Sequence, residues 1–331
     1  MIRNSEILIT GGYGFIGGYI AQKLSESSYN NKITILDNNI DEQTTGNDLG
    51  INKRNNVTVV RGSILNFKDF EKLDQSFDYI IHAAGFLGIN KVALQQLATM
   101  DVNIIGTRNC LEYAKSLSSK PRVLIFSTSE VYGVRAAEPR ENQDSCVPNE
   151  GKRWCYAASK ISAEHYLKAY VQEYGLLGSA VRPFNVFGAY RYGDNAMTTI
   201  VRNAVLNNEI HISGNGQQVR SWCSIDDFCN GIIAILEHGS GQGDIYNIGN
   251  PHNQYTMQEL AELIVQLVSS NSKIIITNSV IDDVLFRVPN IDKAIQSLGF
   301  DPNEDFKQSL EKVVKWIREK EELYIGVGKS D

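Results

Sequence analysis

The 331-residue chain has few cysteines, no basic cluster and no long apolar stretch. Its five cysteines contain no Cys-x-x-Cys pair and its five histidines no i, i+4 pair, which argues against a disulfide framework and against a metal site. A net charge of −6 without a basic run gives no indication of a nucleic-acid or membrane-surface partner. No apolar run is long enough for a membrane-spanning helix. We therefore expect a cytoplasmic protein with free thiols and without a leader peptide.

A glycine-rich turn between a strand and a helix is the most informative segment that is present. Residues 8–17 spell Leu-Ile-Thr-Gly-Gly-Tyr-Gly-Phe-Ile-Gly, and a helical pattern follows. Gly11 permits the tight turn, Gly14 lets a phosphate approach the backbone, and Gly17 lets the helix pack on the strand. A second apolar strand ends in Asp37, where a carboxylate would hold a ribose diol and repel a 2′-phosphate. This order predicts dinucleotide binding, with NAD favoured over NADP.

Strand-like and helix-like segments alternate over roughly the first 180 residues, which predicts a Rossmann-type, doubly wound parallel sheet in an α/β fold. After about residue 185 the alternation loosens, and smaller elements follow. We expect an NAD-binding domain over residues 1–185, a lobe over 186–325 that is mainly for the substrate and returns in part to the sheet, and a frayed tail over 326–331.

Tyr156 and Lys160 form the second chemical feature. Four residues apart on a predicted helix, they share one face. A neighbouring ammonium lowers the pKa of a phenol, and a phenolate can remove the proton of a sugar hydroxyl while hydride leaves the same carbon for NAD.

A third feature is the polar turn at residues 127–133, Ser-Thr-Ser-Glu-Val-Tyr-Gly, which follows a strand predicted to be buried. The carboxyl ends of the strands form the ligand crevice in an open α/β sheet. There Thr128 and Ser129 can bond a substrate oxygen, and Glu130 can act as an acid or a base.

Several motifs occur together in a fixed order. They are the glycine turn at 10–17, Asp37, the run His-Ala-Ala-Gly at 82–85, Asn103, the turn at 127–133, Tyr156 with Lys160, and the run Arg-Pro-Phe-Asn-Val-Phe-Gly at 182–188. Over essentially its whole length the chain resembles the extended short-chain dehydrogenase/reductases, specifically the nucleotide-sugar epimerase/dehydratase group.

The resemblance implies a role for each matching position. The expected cofactor contacts are Gly11, Gly14, Phe15, Ile16, Gly17, Asp37, Asn38, Ser63, Ile64, Ala83, Ala84, Gly85, Asn103, Ser127, Tyr156, Lys160 and Pro183. The expected substrate contacts are Phe86, Thr128, Asn185, Arg220 and Arg287, with Asn185 and the two arginines on the diphosphate. The family often has aspartate where this chain has Ser63, so the adenine contact there is weaker.

The resemblance also implies that the reaction begins with oxidation at C4 of the sugar. A simple 4-epimerase needs no carboxylate beside the hydroxyls, whereas Glu130 could remove the C5 proton. The 4,6-dehydratases of the family commonly have Thr-Asp-Glu at this turn, and Thr-Ser-Glu-Val-Tyr-Gly is also similar to UDP-glucuronate decarboxylases, in which Arg287 would meet the sugar carboxylate. We expect C5 proton chemistry first (dehydration or 5-epimerisation, on a UDP-hexose such as UDP-GlcNAc), then decarboxylation, then 4-epimerisation.

Two other classes of protein fit less well. A dinucleotide-sensing regulator would have no need of Tyr156 and Lys160. An NADP-dependent reductase of a small carbonyl compound is disfavoured by Asp37 and by Asn185 with Arg220. The helices expected near 102–114 and 156–174 resemble the pair that forms a dimer interface in this family, so a homodimer is expected.

Overall fold

The computed structural model describes residues 2–320 except 42, 74–75, 135–136, 194 and 278–283, and except the side chain of residue 89. The predicted tail at 326–331 lies outside the described residues.

Strands and helices alternate from the first strand onward. The strands are β1 (Glu6–Thr10), β2 (Lys32–Asp37), β3 (Val57–Arg61), β4 (Tyr79–His82), β5 (Arg122–Phe126), β6 (Leu177–Pro183), β7 (Val186–Phe187), β8 (Ile210–Ser213), β9 (Val219–Ser221), β10 (Cys223–Ser224), β11 (Gln242–Ile248), β12 (Gln254–Thr256), β13 (Ile274–Thr277) and β14 (Phe286–Arg287). The α-helices are α1 (Phe15–Leu24), α2 (Thr45–Asp48), α3 (Phe67–Phe70), α4 (Ile89–Leu94), α5 (Gln96–Met100), α6 (Gly106–Ser116), α7 (Trp154–Tyr174), α8 (Ala196–Val205), α9 (Ile225–His238), α10 (Met257–Val268), α11 (Asp292–Leu298) and α12 (Phe306–Glu319). Short 3₁₀ helices cover Ile51–Lys53 and Ser129–Tyr132, and a π-helical turn covers Asp101–Ile105.

The main sheet has seven parallel strands in the order β3-β2-β1-β4-β5-β6-β11. Its strands are apolar on both faces because helices cover both sides: Ile7 and Ile9 pack into one buried cluster, and Leu8, between them, into the other. The predicted α/β fold with a doubly wound parallel sheet is therefore confirmed.

The strand order reverses between β1 and β4, and this point places the crevice. A ligand of such a sheet binds outside the carboxyl ends of the strands at the reversal. The turn after β1 begins at Gly11, and the segment after β4 contains Ala83, Ala84 and Gly85. The glycine turn and the His-Ala-Ala-Gly run therefore meet at one edge of the sheet.

A third buried cluster lies in the carboxyl-terminal part of the chain, where α8, α10 and α12 pack together and β8 pairs with β13. Helix α10 begins with a complete capping box, in which Thr256 accepts from the Glu259 N–H and Glu259 accepts from the Thr256 N–H. A small sheet in the order β12-β9-β14 borders this lobe. No helix in the described part of the chain is both long and apolar enough to span a bilayer.

Candidate active site

Gly11 and Gly17 of the glycine turn leave no room for a side chain at their positions. Gly11 has φ +74°, and a Cβ on it would lie 2.6 Å from the Ala84 Cα atom. A Cβ on Gly17 would lie 2.2 Å from the Gly11 carbonyl oxygen. Gly14 precedes α1 and offers no side chain to its first N–H groups. A diphosphate fits this arrangement, because those N–H groups and the helix dipole stay available to it.

Asp37 is fixed at the end of β2, beside the glycine turn. One carboxylate oxygen accepts from the Tyr13 N–H at 2.9 Å and the other from the Asn39 N–H at 2.9 Å. Burial raises the pKa of Asp37, and the backbone N–H bonds oppose that rise. The carboxylate has the position expected for a ribose partner, and Asn38 lies exposed next to it.

The predicted adenine contacts lie after β3, whose last residue pairs with Asp37. The Ser63 N–H donates to Asp69 at 2.9 Å, and the Ser63 hydroxyl accepts from the Leu65 N–H at 3.3 Å. Ile64 is buried against Gly106, where a Cβ would lie 2.4 Å from an Ile64 methyl group. Contact of Ser63 and Ile64 with adenine stays a prediction.

Asn103 joins the segment after β4 to helix α7. Its side chain accepts from the Phe86 N–H at 2.9 Å and donates to the Phe86 carbonyl at 3.1 Å and to the Ser159 hydroxyl at 3.0 Å. Because Ser159 precedes Lys160, these bonds place Phe86 and Gly85 against the catalytic helix. A Cβ on Gly85 would lie 3.2 Å from the Lys160 Nζ atom, so Lys160 borders the predicted nicotinamide end of the cleft.

Tyr156 and Lys160 both lie in α7, as the sequence predicts. Burial lowers the pKa of Lys160 to about 8. Burial and the charge of Glu130 raise the pKa of Tyr156, whereas a hydrogen bond with the Thr128 hydroxyl and the charge of Arg191 lower it. Thr128, Glu130 and Tyr156 are therefore together, as predicted. Among the described residues, the cation that lowers the pKa of Tyr156 is Arg191.

Arg191 is a site residue that the sequence analysis missed. It lies in the loop between β7 and α8, with its guanidinium carbon 5.3 Å from the centre of the Phe15 ring. It donates to the Val186 carbonyl, and burial lowers its pKa to about 10. One cation thus lies between the start of the dinucleotide helix and the phenol of Tyr156. Because this loop has no periodic pattern, the sequence held no signal for it.

Glu130 lies between two arginines from different parts of the chain. Its Oε1 atom is 3.6 Å from a terminal nitrogen of Arg153 and 3.7 Å from one of Arg287. Arg153 also escaped the sequence analysis, although its position at the start of the predicted helix, three residues before Tyr156, was a usable signal. Two guanidiniums thus lie beside one carboxylate in this part of the cleft.

Arg220 and Arg287 lie side by side, because β9 and β14 pair in a register that places these two residues opposite each other. Both side chains are buried. The Nε atom and one terminal nitrogen of Arg287 have no hydrogen-bond partner among the described residues. Two adjacent buried cations, with unused N–H donors on Arg287, suit an anion such as the predicted diphosphate.

Asn185 reaches the same strand by a strained backbone. Its φ of 36° is left-handed, a conformation that asparagine adopts more readily than most residues. Its side-chain amide donates to the Ser221 carbonyl at 2.9 Å, next to Arg220.

Three further predicted site residues, Ser127, Ser129 and Pro183, lie at the carboxyl ends of β5 and β6. The Ser127 hydroxyl donates to Glu164 within the protein. Ser129 is buried in the 3₁₀ turn, and Pro183 ends β6 opposite Ile248. The cofactor contacts of Ser127 and Pro183 and the catalytic role of Ser129 stay predictions.

Known proteins resemble this chain over nearly its whole length. The model of the NAD dependent epimerase/dehydratase family matches residues 7–249. The UDP-N-acetyl-alpha-D-glucosaminuronate decarboxylase of Bacillus cytotoxicus is 30% identical over 329 residues, which cover 94% of this chain and 97% of that protein. UDP-glucuronic acid decarboxylase 3 of Arabidopsis thaliana is 32% identical over 310 residues, 93% of this chain and 87% of that protein. The crystal structure of UDP-glucuronic acid 4-epimerase from Bacillus cereus, in complex with UDP-glucuronic acid and NAD, matches with a TM-score of 0.85 and 25% identity over 95% of this chain and 99% of that one.

Proposed function

The chain belongs to the NAD dependent epimerase/dehydratase family and is an NAD-dependent enzyme that modifies a nucleotide sugar, and we propose that it decarboxylates a UDP-linked uronic acid. The observation that carries the proposal is the position of Glu130 between Arg153 and Arg287. Two guanidiniums at one point of the cleft suit a carboxylate on the sugar, whereas an uncharged C6 hydroxyl matches them less well. Two relatives at 30% identity or more are named as uronate decarboxylases, which supports the same reaction.

The residues of the cleft have distinct parts in this reaction. NAD, when bound, accepts the hydride of sugar C4 and later returns it. Tyr156 takes the proton of the C4 hydroxyl, with Lys160 and Arg191 supplying positive charge and Thr128 a hydrogen bond to the phenol. Oxidation makes the uronate a β-keto acid, so the C5–C6 bond breaks, CO2 leaves, and its bonding electrons pass to the C4 carbonyl oxygen. C5 then takes a proton, and Tyr156 returns its own proton as the C4 hydroxyl is restored.

Binding is assigned to two groups of residues. We propose that the glycine turn, Asp37 and Asn103 hold NAD, and that Arg220 and Arg287 hold the diphosphate, with Asn185 fixing the strand that carries Arg220. Arg153 and the side of Arg287 that faces Glu130 receive the sugar carboxylate. In this assignment Arg287 lies beside both anionic groups of the substrate, the diphosphate and the sugar carboxylate.

Proton chemistry at C5 is the second candidate, and the sequence analysis placed it first. The observation that favours it is the carboxylate of Glu130 beside Thr128 and Tyr156. On a UDP-hexose such as UDP-GlcNAc, Glu130 would remove the C5 proton after oxidation at C4, and dehydration or 5-epimerisation would follow. The two arginines make decarboxylation the better fit. A plain 4-epimerisation of a neutral sugar uses neither Glu130 nor Arg153.

One experiment separates these reactions. The protein and NAD are incubated in D2O with UDP-glucuronate, UDP-N-acetylglucosaminuronate, UDP-glucose and UDP-GlcNAc, and product mass and label position are read. We expect a uronate to lose CO2 and to gain one deuterium at C5. Loss of water or exchange at C5 in UDP-GlcNAc would establish the second candidate in its place. A 4-epimer without solvent label would exclude both.

Arg153→Met sharpens the test. It removes one of the two cations beside Glu130 and leaves the diphosphate pair, Arg220 and Arg287, in place. We expect kcat/KM for a uronate to fall by at least about tenfold, because the half-buried Arg153 no longer pairs with the sugar carboxylate. The matched control is Arg318→Met on α12, which is expected to leave kcat/KM within twofold of the unaltered protein.

We further propose a homodimer formed through α6 and α7. These helices pack against each other, and apolar side chains are exposed near the start of the pair, Leu97 at 83% and Ile105 at 43%. Light scattering should give twice the chain mass, and Leu97→Asp with Ile105→Asp should give the monomer.

The lobe boundaries and the compartment are also proposals. Residues 186–325 supply Arg220 and Arg287 and return to the main sheet once, through β11. The cysteines at 110, 146, 155, 223 and 229 are free, which supports a reducing cytoplasm.

A further inference from the structure

A buried ion pair lies beneath the catalytic turn. Arg182 in β6 donates to both carboxylate oxygens of Glu164 in α7, at 2.8 and 2.7 Å. Arg182 is 4% exposed and Glu164 5%. The hydroxyl of Ser127 donates a third hydrogen bond to Glu164, at Oε1. Buried charges that are paired and hydrogen-bonded in this way fix the geometry of the segments that carry them.

Arg182 also connects to other segments of the chain. Its Nη1 atom donates to the Tyr132 hydroxyl at 2.7 Å, and that hydroxyl donates to the Asn247 side chain at 2.7 Å. The Asn247 amide donates to the carbonyls of Pro139 at 2.8 Å and Asn290 at 3.1 Å. Asn290 follows Arg287 by three residues, so the chain of bonds reaches the segment that carries the proposed carboxylate receptor.

The groups of this hydrogen-bond network lie next to catalytic residues in the sequence. Ser127 immediately precedes Thr128, whose hydroxyl bonds the phenol of Tyr156. Glu164 follows Lys160 by four residues on the same face of α7. The bond between Ser127 and Glu164 therefore fastens the turn that carries Thr128 to the helix that carries Tyr156. The turn and α7 are separate segments of the chain, so their spacing depends on contacts such as this hydrogen bond.

We propose that Glu164 and Arg182 are positioning residues: their ion pair holds Ser127, and Ser127 keeps the Thr128 hydroxyl within hydrogen-bond reach of Tyr156. Neither charged group touches substrate or cofactor in this role. The inference rests on the proposed role of Tyr156 as the base. It is independent of the step that follows oxidation at C4.

Ser127→Ala is the variant that carries the test. It removes one hydroxyl and keeps the ion pair, whereas Glu164→Gln would leave the buried charge of Arg182 without its partner and is expected to impair folding. When the turn is released, Tyr156 loses a hydrogen bond that stabilises its phenolate. The acidic limb of the kcat profile for UDP-glucuronate should then move up by as much as about one pH unit, with KM within twofold. Ser127→Thr keeps a hydroxyl and should restore the original limb.

Ser179→Ala is the matched control. Ser179 is a buried serine in β6, near Arg182, and its hydroxyl has no hydrogen-bond partner among the described residues. The same atoms are removed at a similar depth without touching the network. We expect this variant to keep the pH limb, kcat and KM of the unaltered protein.

Tyr132→Phe tests the other end of the network. It keeps the ring, which packs on Phe184, and removes the hydroxyl that joins Arg182 to Asn247. Because this end leads toward Arg287, we expect KM for UDP-glucuronate to rise several-fold and the pH limb to stay in place.

A second readout separates failure of this inference from failure of the proposed function. Tyrosinate absorbance of the NAD complex is titrated for each variant, and the curve of the same variant with Tyr156→Phe is subtracted, which gives the pKa of Tyr156 without turnover. A higher pKa in Ser127→Ala than in Ser179→Ala supports the inference even if UDP-glucuronate is no substrate. Equal pKa values in the two variants overturn it. Full activity of Tyr156→Phe alone would instead overturn the proposed function.

Discussion

The Nζ atom of Lys160 lies 3.2 Å from the point at which a Cβ atom on Gly85 would stand. The same point is 3.1 Å from the Asn103 side-chain oxygen. The absence of a side chain at residue 85 therefore lets the loop after β4 close on the catalytic helix. Asn103 keeps Lys160 close to Gly85, because its side chain bonds both the backbone of Phe86 and the hydroxyl of Ser159.

Gly85→Ala should therefore damage catalysis more than stability. The new methyl group must push Lys160 or Asn103 away by a few tenths of an ångström. We expect kcat to fall by about tenfold or more, because small displacements of catalytic groups are costly. Gly18→Ala is the control, since its Cβ would meet other atoms at ordinary distances of 3.4 Å or more. Steady-state kinetics beside thermal unfolding of both variants checks this, and an unchanged kcat in Gly85→Ala would contradict it.

Gly17→Ala should weaken binding of NAD. Its Cβ would stand 2.2 Å from the Gly11 carbonyl oxygen, so the start of α1 must move away from the turn. The N–H groups that face the diphosphate move with it, and we expect the Kd for NAD to rise by at least about tenfold. Calorimetric titration of NAD into Gly17→Ala and Gly18→Ala measures the difference. Equal affinities in the two variants would show that α1 does not bind the cofactor.

His82 makes the stability of the fold depend on pH. Its ring nitrogens bond the hydroxyls of Thr10 at 2.8 Å and Thr107 at 3.2 Å, and burial followed by the charge of Lys160 lowers its pKa from 6.5 to about 3. Between those pH values the unfolded chain binds the proton more readily, so the contribution of His82 is complete above pH 6.5 and is lost as the pH falls toward 3. The loss between pH 7 and pH 5 should be on the order of 2 kcal/mol.

Urea unfolding at pH 7 and pH 5 measures that loss. His82→Gln cannot be protonated and should show a smaller decrease between the two pH values, although it is less stable at pH 7. The same decrease in both proteins would assign the pH dependence to other groups.

Arg191→Met should make Tyr156 harder to ionise. Arg191 lowers the pKa of Tyr156, so its removal moves the acidic limb of kcat/KM to higher pH. The methionine keeps an unbranched chain against Phe15. Arg318→Met provides the control for loss of a guanidinium at a distance. A limb at the same pH in both variants would mean that the charge of Arg191 does not reach the phenol once NAD is bound.

Local features of the sequence predicted the elements around the glycine turn. The turn at 8–17 and the position of Asp37 are set by neighbours in the chain, and a doubly wound parallel sheet follows from the alternation of strands and helices. The capping box of α10 is local too, because Thr256 and Glu259 are three residues apart. Tyr156 and Lys160 share one helix, so their spacing was sufficient to place them together.

Features that depend on distant partners could not be predicted in the same way. Strand β11, Gln-Gly-Asp-Ile-Tyr-Asn-Ile, went unpredicted because glycine, aspartate and asparagine interrupt its apolar residues. Asn247 is nevertheless buried, because its side chain bonds Tyr132 and two backbone carbonyls. The π-helical turn that contains Asn103 had no signal in the pattern of apolar residues.

The surroundings of Glu130 are the clearest case. Arg153 and Arg287 are more than a hundred residues apart, and only the packing of α7 against the turn and of β14 beside β9 brings both to one carboxylate. The sequence therefore indicated a reactive carboxylate at Glu130 and an arginine for a sugar carboxylate at Arg287, but not that Arg153 and Arg287 both lie beside Glu130. The two arginines beside Glu130 are what moves the proposed reaction from C5 proton removal to decarboxylation.

The central claim is that Tyr156 and bound NAD oxidise C4 of a nucleotide sugar and then restore it. Its most direct test is turnover of UDP-glucuronate carrying deuterium at C4, with product analysed by NMR in ordinary water. The account predicts that the released sugar nucleotide keeps the deuterium at C4 and has lost its carboxyl carbon, and that Tyr156→Phe forms almost none of it. A product that contains solvent hydrogen at C4, or equal turnover by Tyr156→Phe, would contradict it.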